Sequence, residues 1–437
     1  MTSYYLWLAA RSLRRNPVLT ALMVAAIALG IGAAMTSLTV LRAMSGNPMA
    51  HRDDRVYRPQ VDNWAASRAF DELGNPPNLM TYQDSMALYR AGKAERQAAM
   101  FPNFLPVQPD NPEINPFMAQ VLFTHGGFFG IFDVPMAHGS AWDQQADDGN
   151  ARVVVLSHAM NERLFGGENS VGRTLRLDGE DYTVSGVMKP WNPQPRFYEL
   201  SSGAFGDVED LFVPFGVGIE KQLTSSANNN CFADPGAGYQ NWLASDCIWM
   251  AFWVELAGRE QASQYKDFLD AYVEEQKRNG RFARPLNNRV STVSEWLEQQ
   301  RVVSRDAQTQ TWLAFAFLLV CLINTVGLLL AKFMARSSEI GLRRAVGASR
   351  RQVFGQFLTE SAMVGVAGAL LGLGLTWLGL LGVRALYGDS ATGRMAELEP
   401  GMIAITVVSA IVASLLAGLF PTWRACQIAP ALQLKSN

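Results

Sequence analysis

Four stretches of this chain contain no Asp, Glu, Lys or Arg: residues 16–41, 307–331, 361–383 and 400–423. Each is 23 to 26 residues long, and about 20 apolar residues suffice for a helix to cross the hydrocarbon core of a bilayer. Four transmembrane helices are therefore expected, although the near-neutral net charge of -2 and 49% hydrophobic content would by themselves describe an ordinary soluble protein. The first run follows basic residues near the N-terminus, so a cleaved signal peptide is the alternative for it. Its length exceeds the usual apolar core of a signal, and Tyr4, Tyr5 and Trp7 precede Arg11, Arg14 and Arg15 as in an interfacial helix. It is expected to be retained.

The placement of Lys and Arg orients the spans. Residues 1–15 hold three basic and no acidic side chains, residues 332–360 six against two, and the tail from Arg424 two against none. These segments are expected in the cytoplasm. Residues 384–399 carry two basic and three acidic groups, and residues 42–306 carry 24 against 34, a net of -10. Both are expected outside. Such a balance gives no reason to expect nucleic acid as a partner. Cys231 and Cys247 fall in the large outer segment with 15 residues between them. Oxidation is permitted there, which favours a disulfide over two buried free thiols.

The outer insertion is long enough to bury its own core. Arg152–Leu156 is a β-branched run suited to a buried strand, Ser157 can cap a short helix, and Gly166 and Gly167 can end it. Thr174–Leu177 and Tyr182–Val187 read as two strands joined through Asp178 and Gly179, a hairpin pair. Residues 190–250, rich in Pro, Gly, Asn and aromatic side chains, read as a loop region stapled by Cys231 and Cys247. From Ser291 to Ala335 there is no proline and only Gly327 among glycines. One continuous helix of about 40 residues, roughly 60 Å long, is the expectation there, a stalk that enters the membrane as its second span.

The cytoplasmic stretch EIGLRRAVGASRRQVFGQFLTE, residues 339–360, carries Arg343, Arg344, Arg350 and Arg351. Ser337 or Ser338 can start a short helix, Ile340, Leu342, Ala345 and Val346 give it an apolar side, and Gly347 can stop it. Ser349 with Gln352 at capping-box spacing then starts the third span. A solvated, positive-inside loop would need none of this, so a protein partner is the better explanation. The segment resembles the coupling helix of the MacB/FtsX family of ABC transporter permeases, in the type VII ABC superfamily. RVVVLSHAMNERLFGGENSVGRTLRLDGEDYTVSGVM is similar to that family's MacB-like periplasmic core domain, FTHGGFFGIFDVPMAHGSAW to the segment before it, and GLFPTWRACQIAPALQLKS to its C-terminal end.

The resemblance implies an α-helical membrane protein with four transmembrane helices and a mixed α/β extracytoplasmic domain inserted between helices 1 and 2. Its parts are an amphipathic segment (1–15), helix 1 (16–43), the core domain (44–292), stalk and helix 2 (293–332), a coupling segment (333–360), helix 3 (361–384), an outer loop (385–399), helix 4 (400–423) and a tail (424–437). Both termini would be cytoplasmic and the protein would sit in the bacterial inner membrane, among its lipids. The implied coupling residues are Glu339, Ile340, Gly341, Leu342, Arg343, Arg344, Ala345, Val346, Gly347 and Ala348, which would dock on a cytoplasmic ABC ATPase dimer. No GxxxxGK[ST] phosphate-binding sequence occurs in the chain, so ATP and Mg are expected on a separate ATPase and no cofactor on this chain. A second permease, identical or paralogous, and a periplasmic adaptor protein complete the implied partners.

Small residues suit close helix packing: Gly30, Gly32, Ala33 and Ala34 in the first span, and Gly368 and Gly372 in the third. They can pack within the chain or between two permeases; the resemblance implies a dimer contact mainly between the first and second helices, which makes the first-span group the better candidate for the dimer. Asn324 can hydrogen-bond across a helix interface or to its own helix. His51, His125, His138 and His158 form no metal-binding spacing and are expected at the polar surface, and no GxSxG occurs. A non-catalytic permease follows, for export of a peptide, antibiotic or other small molecule. Lipoprotein or lipid extraction, control of a cell-wall hydrolase, and a membrane sensor without an ATPase remain as alternatives.

Overall fold

The computed structural model describes residues 2–387 and 400–426. The expected outer loop beyond Tyr387 and the tail beyond Cys426 lie outside the described residues. The chain divides into two compact units, residues 1–45 with 303–437, and residues Gly46–Val302.

Strands and helices of the Gly46–Val302 unit, in chain order, are β1 (Val56–Gln60), a helix (Tyr82–Ala91), β2 (Arg96–Gln108), β3 (Phe117–Thr124), a helix (Gly127–Ile131), β4 (Met136–Gly139), a helix (Gln144–Asp148) and β5 (Val153–Leu156). A helix (His158–Phe165), β6 (Thr174–Leu177), β7 (Glu180–Met188), β8 (Leu211–Pro214) and helices Phe215–Glu220 and Tyr239–Ala244 follow. The unit closes with β9 (Ala251–Glu255), a helix (Arg259–Arg278), β10 (Arg289–Thr292) and a last helix, Val293–Gln299. All ten strands join one mixed sheet in the order β10-β1-β9-β2-β3-β8-β5-β7-β4, with β6 pairing β2 and β7.

The central strands of the sheet are buried on both faces. Alternate residues of β2 point to opposite sides: Ala99, Phe101, Leu105 and Val107 enter one core, Ala98 and Met100 the other. In β9, Phe252 and Val254 join the first core, Ala251 and Trp253 the second. Double burial explains why VVVL, LFVP and the AFWV of β9 are continuous apolar runs rather than alternating ones. The local readings around them hold. Ser157 accepts from the Met160 N–H and Gly166 ends that helix at φ +65°. Asp178 (φ 51°) and Gly179 (φ 78°) make the turn between β6 and β7, both left-handed as a two-residue hairpin requires.

Residues 190–250 are not wholly loop. β8 lies in the middle of the sheet, parallel to β3 and antiparallel to β5, and Phe197 and Tyr198 are fully buried. The Cys231–Cys247 disulfide is present. Its Cys247 belongs to the first core, and the Asn230–Ile248 bridge lies beside it.

The membrane-type unit has six helices among its described residues, numbered here α1 (Thr2–Arg15), α2 (Pro17–Ser45), α3 (Arg305–Met334), α4 (Ser337–Ala345), α5 (Arg350–Tyr387) and α6 (Pro400–Cys426). Helices α2, α3, α5 and α6 are each long and apolar enough to cross a membrane. Their packing depends on glycine. A Cβ on Gly30 would lie 2.9 Å from Leu318 Cδ1, one on Gly32 2.8 Å from Leu375 Cβ, and one on Gly368 2.6 Å from Ile27 Cγ2. Close backbone approach of this kind is how helices associate where lipid tails are as apolar as Leu.

The continuous stalk is corrected. Helix Val293–Gln299 ends at Gln300, Arg301 takes φ +47°, and α3 starts afresh with Ser304 accepting from the Ala307 N–H. The first helix belongs to the outer unit. Thr292 and Glu295 form a full capping box, Trp296 is buried and donates from Nε1 to the Phe197 carbonyl at 3.0 Å, and the Arg58 guanidinium stands 4.5 Å from its ring. Tertiary anchoring of Trp296 overrides the unbroken helical pattern.

Candidate coupling site

Helix α4 is short, and every feature that positions it is local to the ends of its neighbours. Ile340 is buried and packs with Phe333 of α3 and Val353 and Phe357 of α5. The Phe333 and Phe357 rings are 4.4 Å apart. On the charged side, Arg343 donates to Glu339 at 2.6 Å and to Gln356 Oε1 of α5 at 2.7 Å, and Arg15 of α1 reaches Glu339 at 3.6 Å. Leu342 is 63% and Val346 81% exposed. An apolar pair this open, on a helix held from behind at Ile340 and Arg343, is a ready contact surface.

Gly347 stops the segment where a side chain could not, at φ +107°, with its N–H on the Arg344 carbonyl at 3.2 Å. The Ala348 N–H returns to the Arg343 carbonyl at 3.0 Å. Ser349 and Gln352 make the reciprocal capping box at the start of α5: the Gln352 N–H donates to Ser349 Oγ at 3.3 Å and the Ser349 N–H to Gln352 Oε1 at 2.8 Å. Gly341, Arg344 and Ala348 are half-buried and Ala345 is exposed.

Behind this helix lies a polar cluster that sequence reasoning did not find. Glu360 of α5 and Lys332 of α3 form an ion pair with both side chains fully buried. Ser12 of α1 donates to Glu360 Oε1 at 2.5 Å. Arg336, the residue before α4, stands 3.6 Å from Glu360 Oε2 and donates to Ser12 Oγ. One carboxylate thus ties α1, α3 and α5 to the start of α4. The signal was available: Lys332 and Glu360 bound two charge-free windows whose helices run in opposite directions, so their ends share one side of the membrane.

Of the small residues, Gly30, Gly32 and Ala34 are buried within the chain, and Gly368 and Gly372 pack on Ile27 and Ile31 of α2. The first-span glycines are therefore engaged in intrachain packing, leaving Ala33 and Asn324 exposed. His125 departs from the polar-surface expectation. It is buried between the Tyr89 and Phe215 rings at 3.8 and 4.7 Å, its Nδ1 accepts from the Ala99 N–H at 3.2 Å, and burial pushes its pKa down to about 3. Among the described residues no group of three or more His, Cys, Asp or Glu side chains could hold a metal ion.

Comparison with known proteins gives two family matches, to the MacB-like periplasmic core domain over residues 20–271 and to the FtsX-like permease C-terminal domain over residues 312–430. A pyoverdine export ATP-binding/permease protein of Pseudomonas fluorescens is 25% identical over 83% of this chain and 49% of its own length. A macrolide export ATP-binding/permease protein of Wolinella succinogenes is 23% identical over 98% of this chain and 60% of its own. The chain thus spans about half to three-fifths of these two relatives. The crystal structure of the periplasmic region of MacB from Actinobacillus actinomycetemcomitans aligns at 13% identity and TM-score 0.37, covering 57% of this chain and 95% of that one.

Proposed function

Because this chain belongs to the MacB/FtsX family of ABC transporter permeases, we propose that it converts ATP hydrolysis by a separate cytoplasmic ATPase into movement of its outer domain, to export a small molecule. The observation that carries this reading is α4: Leu342 and Val346 stand open to a partner while Ile340, Arg343 and Glu339 fix the helix to α1, α3 and α5. A docking ATPase would push on a helix that cannot yield locally, so displacement passes to the ends of three neighbours. Coupling of this kind needs an element with two arrangements that both ends can bias. The outer end of that element is the helix Val293–Gln299, fixed to its own sheet through Trp296, with the five residues 300–304 between it and α3. Under this reading residues 1–15 and 332–360 face the cytoplasm, and cargoes of the pyoverdine or macrolide kind named for the relatives are the first to try.

The test is the double variant Leu342→Asp/Val346→Asp. Both side chains are exposed, so the variant should reach the membrane with unchanged thermal unfolding. It should no longer retain an ATP-hydrolysing subunit through purification, whereas the parent should. Equal retention by parent and variant would remove α4 as the docking helix. Failure of the parent to retain any such subunit would remove the separate ATPase.

A further inference from the structure

Helix α1 is fixed in rotation. Ala9 is fully buried and Ser12 nearly so, with the Ser12 hydroxyl held between Glu360 and Arg336. Across the junction with α2, Thr20 Oγ1 donates to the Leu13 carbonyl at 3.1 Å and the Thr20 N–H to the Asn16 carbonyl at 3.1 Å. Among the described residues this leaves a line of outward side chains, Trp7, Arg11, Arg14, Val18 and Leu22, spaced by four, three, four and four residues, with Arg15, Pro17 and Ala21 exposed beside it. Trp7 is 56%, Val18 74% and Leu22 55% exposed, and Arg11 and Arg14 are exposed as well.

The order of chemistry along that line is informative. Val18 and Leu22 lie on the first turns of a span, a surface that suits an acyl chain. Trp7 is the residue type that settles at the membrane interface, and the Arg11 guanidinium stands 5.4 Å from its ring. Arg11 and Arg14 sit between, one turn short of the span, at the depth of lipid headgroups. Neighbouring Arg15 reaches Glu339, and no Asp or Glu occurs in residues 1–52. Two guanidiniums three residues apart can grip one phosphate with several charge-assisted hydrogen bonds. A zwitterionic choline headgroup would bring a further cation beside them, while an anionic headgroup would not.

We propose that Arg11 and Arg14 form a headgroup site for an anionic phospholipid, held in register by the contact of Ser12 with Glu360. The site goes beyond the export reading and requires no ATPase. Occupancy would nonetheless bear on α4, because the Ser12 that sets α1 also meets Arg336 at the start of that helix.

The experiment uses the full chain, purified in mixed micelles with equal phosphatidylglycerol and phosphatidylcholine, and counts retained lipids by native mass spectrometry. Each basic residue near an anionic surface favours binding roughly fivefold, so two give a preference of about 25-fold for phosphatidylglycerol. Arg11→Gln/Arg14→Gln should bring the ratio close to one. Arg350→Gln/Arg351→Gln, which removes the same charge from exposed positions of α5, should leave it, and Arg11→Lys/Arg14→Lys should keep most of it. No preference in the parent, or an equal loss in both glutamine pairs, would overturn the site. Should the first pair not be recovered folded, Arg14→Gln alone must lower the ratio about fivefold, and an unchanged ratio would count against the proposal equally.

Discussion

The outer unit and the membrane-type unit are packed on opposite plans. In the outer unit the largest side chains are the most buried, with Trp249, Trp253, Trp296, Phe101 and Phe128 among them, and its acidic and basic groups pair mostly at partly exposed positions such as Arg152–Glu220 and Arg55–Glu95. In the membrane-type unit several of the closest helix contacts are made where side chains are absent, at Gly30, Gly32, Gly365 and Gly368, while Trp312, Leu313, Trp377 and Trp423 face outward. Its fully buried ion pair, Lys332–Glu360, lies at the ends of its spans. Water exclusion rewards burial of bulk in the first unit. Facing lipid, that reward is missing, so close backbone approach and polar contacts hold the helices.

The contrast breaks most sharply at Glu360. Glu360→Ala leaves the Lys332 ammonium buried without a counter-charge, a change that costs about 3–5 kcal/mol, and should lower the thermal unfolding midpoint of the purified chain more than any single surface substitution in the outer unit. Glu360→Ala with Lys332→Met should recover much of it. If the single variant unfolds like the parent, the polar cluster does not hold the membrane-type unit together.

A middle-sized effect is expected where the outer unit relies on a covalent link. Cys231→Ser/Cys247→Ser removes a loop closure worth about 3 kcal/mol in the chain-entropy model, and the loss should concentrate in residues 224–250. Hydrogen exchange is the measurement: faster exchange there, with β2 and β3 unchanged, is the expected pattern, and uniform protection would show that packing around Trp249 suffices. Intact-mass analysis after alkylation without reductant should find neither outer cysteine labelled in the parent.

The smallest effect probes how dry the outer core is. His125 has its folded pKa lowered to about 3 against an unfolded value of about 6.5. The unfolded chain therefore binds the extra proton first, so the stability present above pH 6.5 is lost progressively as pH falls towards 3. At pH 5.5 the loss is about 1.4 kcal/mol. His125→Gln, which offers an acceptor to the Ala99 N–H without titrating, should flatten the stability difference between pH 7.5 and 5.5. An unchanged slope would assign the acid sensitivity to other groups.

Much of the fold is legible in short stretches of sequence because the forces that decide it act over a few residues. Charge-free length marks the four spans, Asp178-Gly179 turns β6 into β7, Ser157 and Ser349 cap their helices, and Gly347 ends α4. Two cysteines in an outer segment were enough to anticipate their bond. Tertiary structure alone decided which partners meet over long separations. Ser12 and Glu360 are 348 positions apart, and no periodicity joins them. LFVP of β8 looks like any apolar run in a Pro- and Gly-rich region until β3 and β5 supply hydrogen bonds on both sides. His125 is buried because Tyr89 and Phe215 close over it. Arg301 breaks the expected stalk because the helix before it is held by its own domain through Trp296, and a positive φ at a non-glycine residue leaves no mark in the sequence.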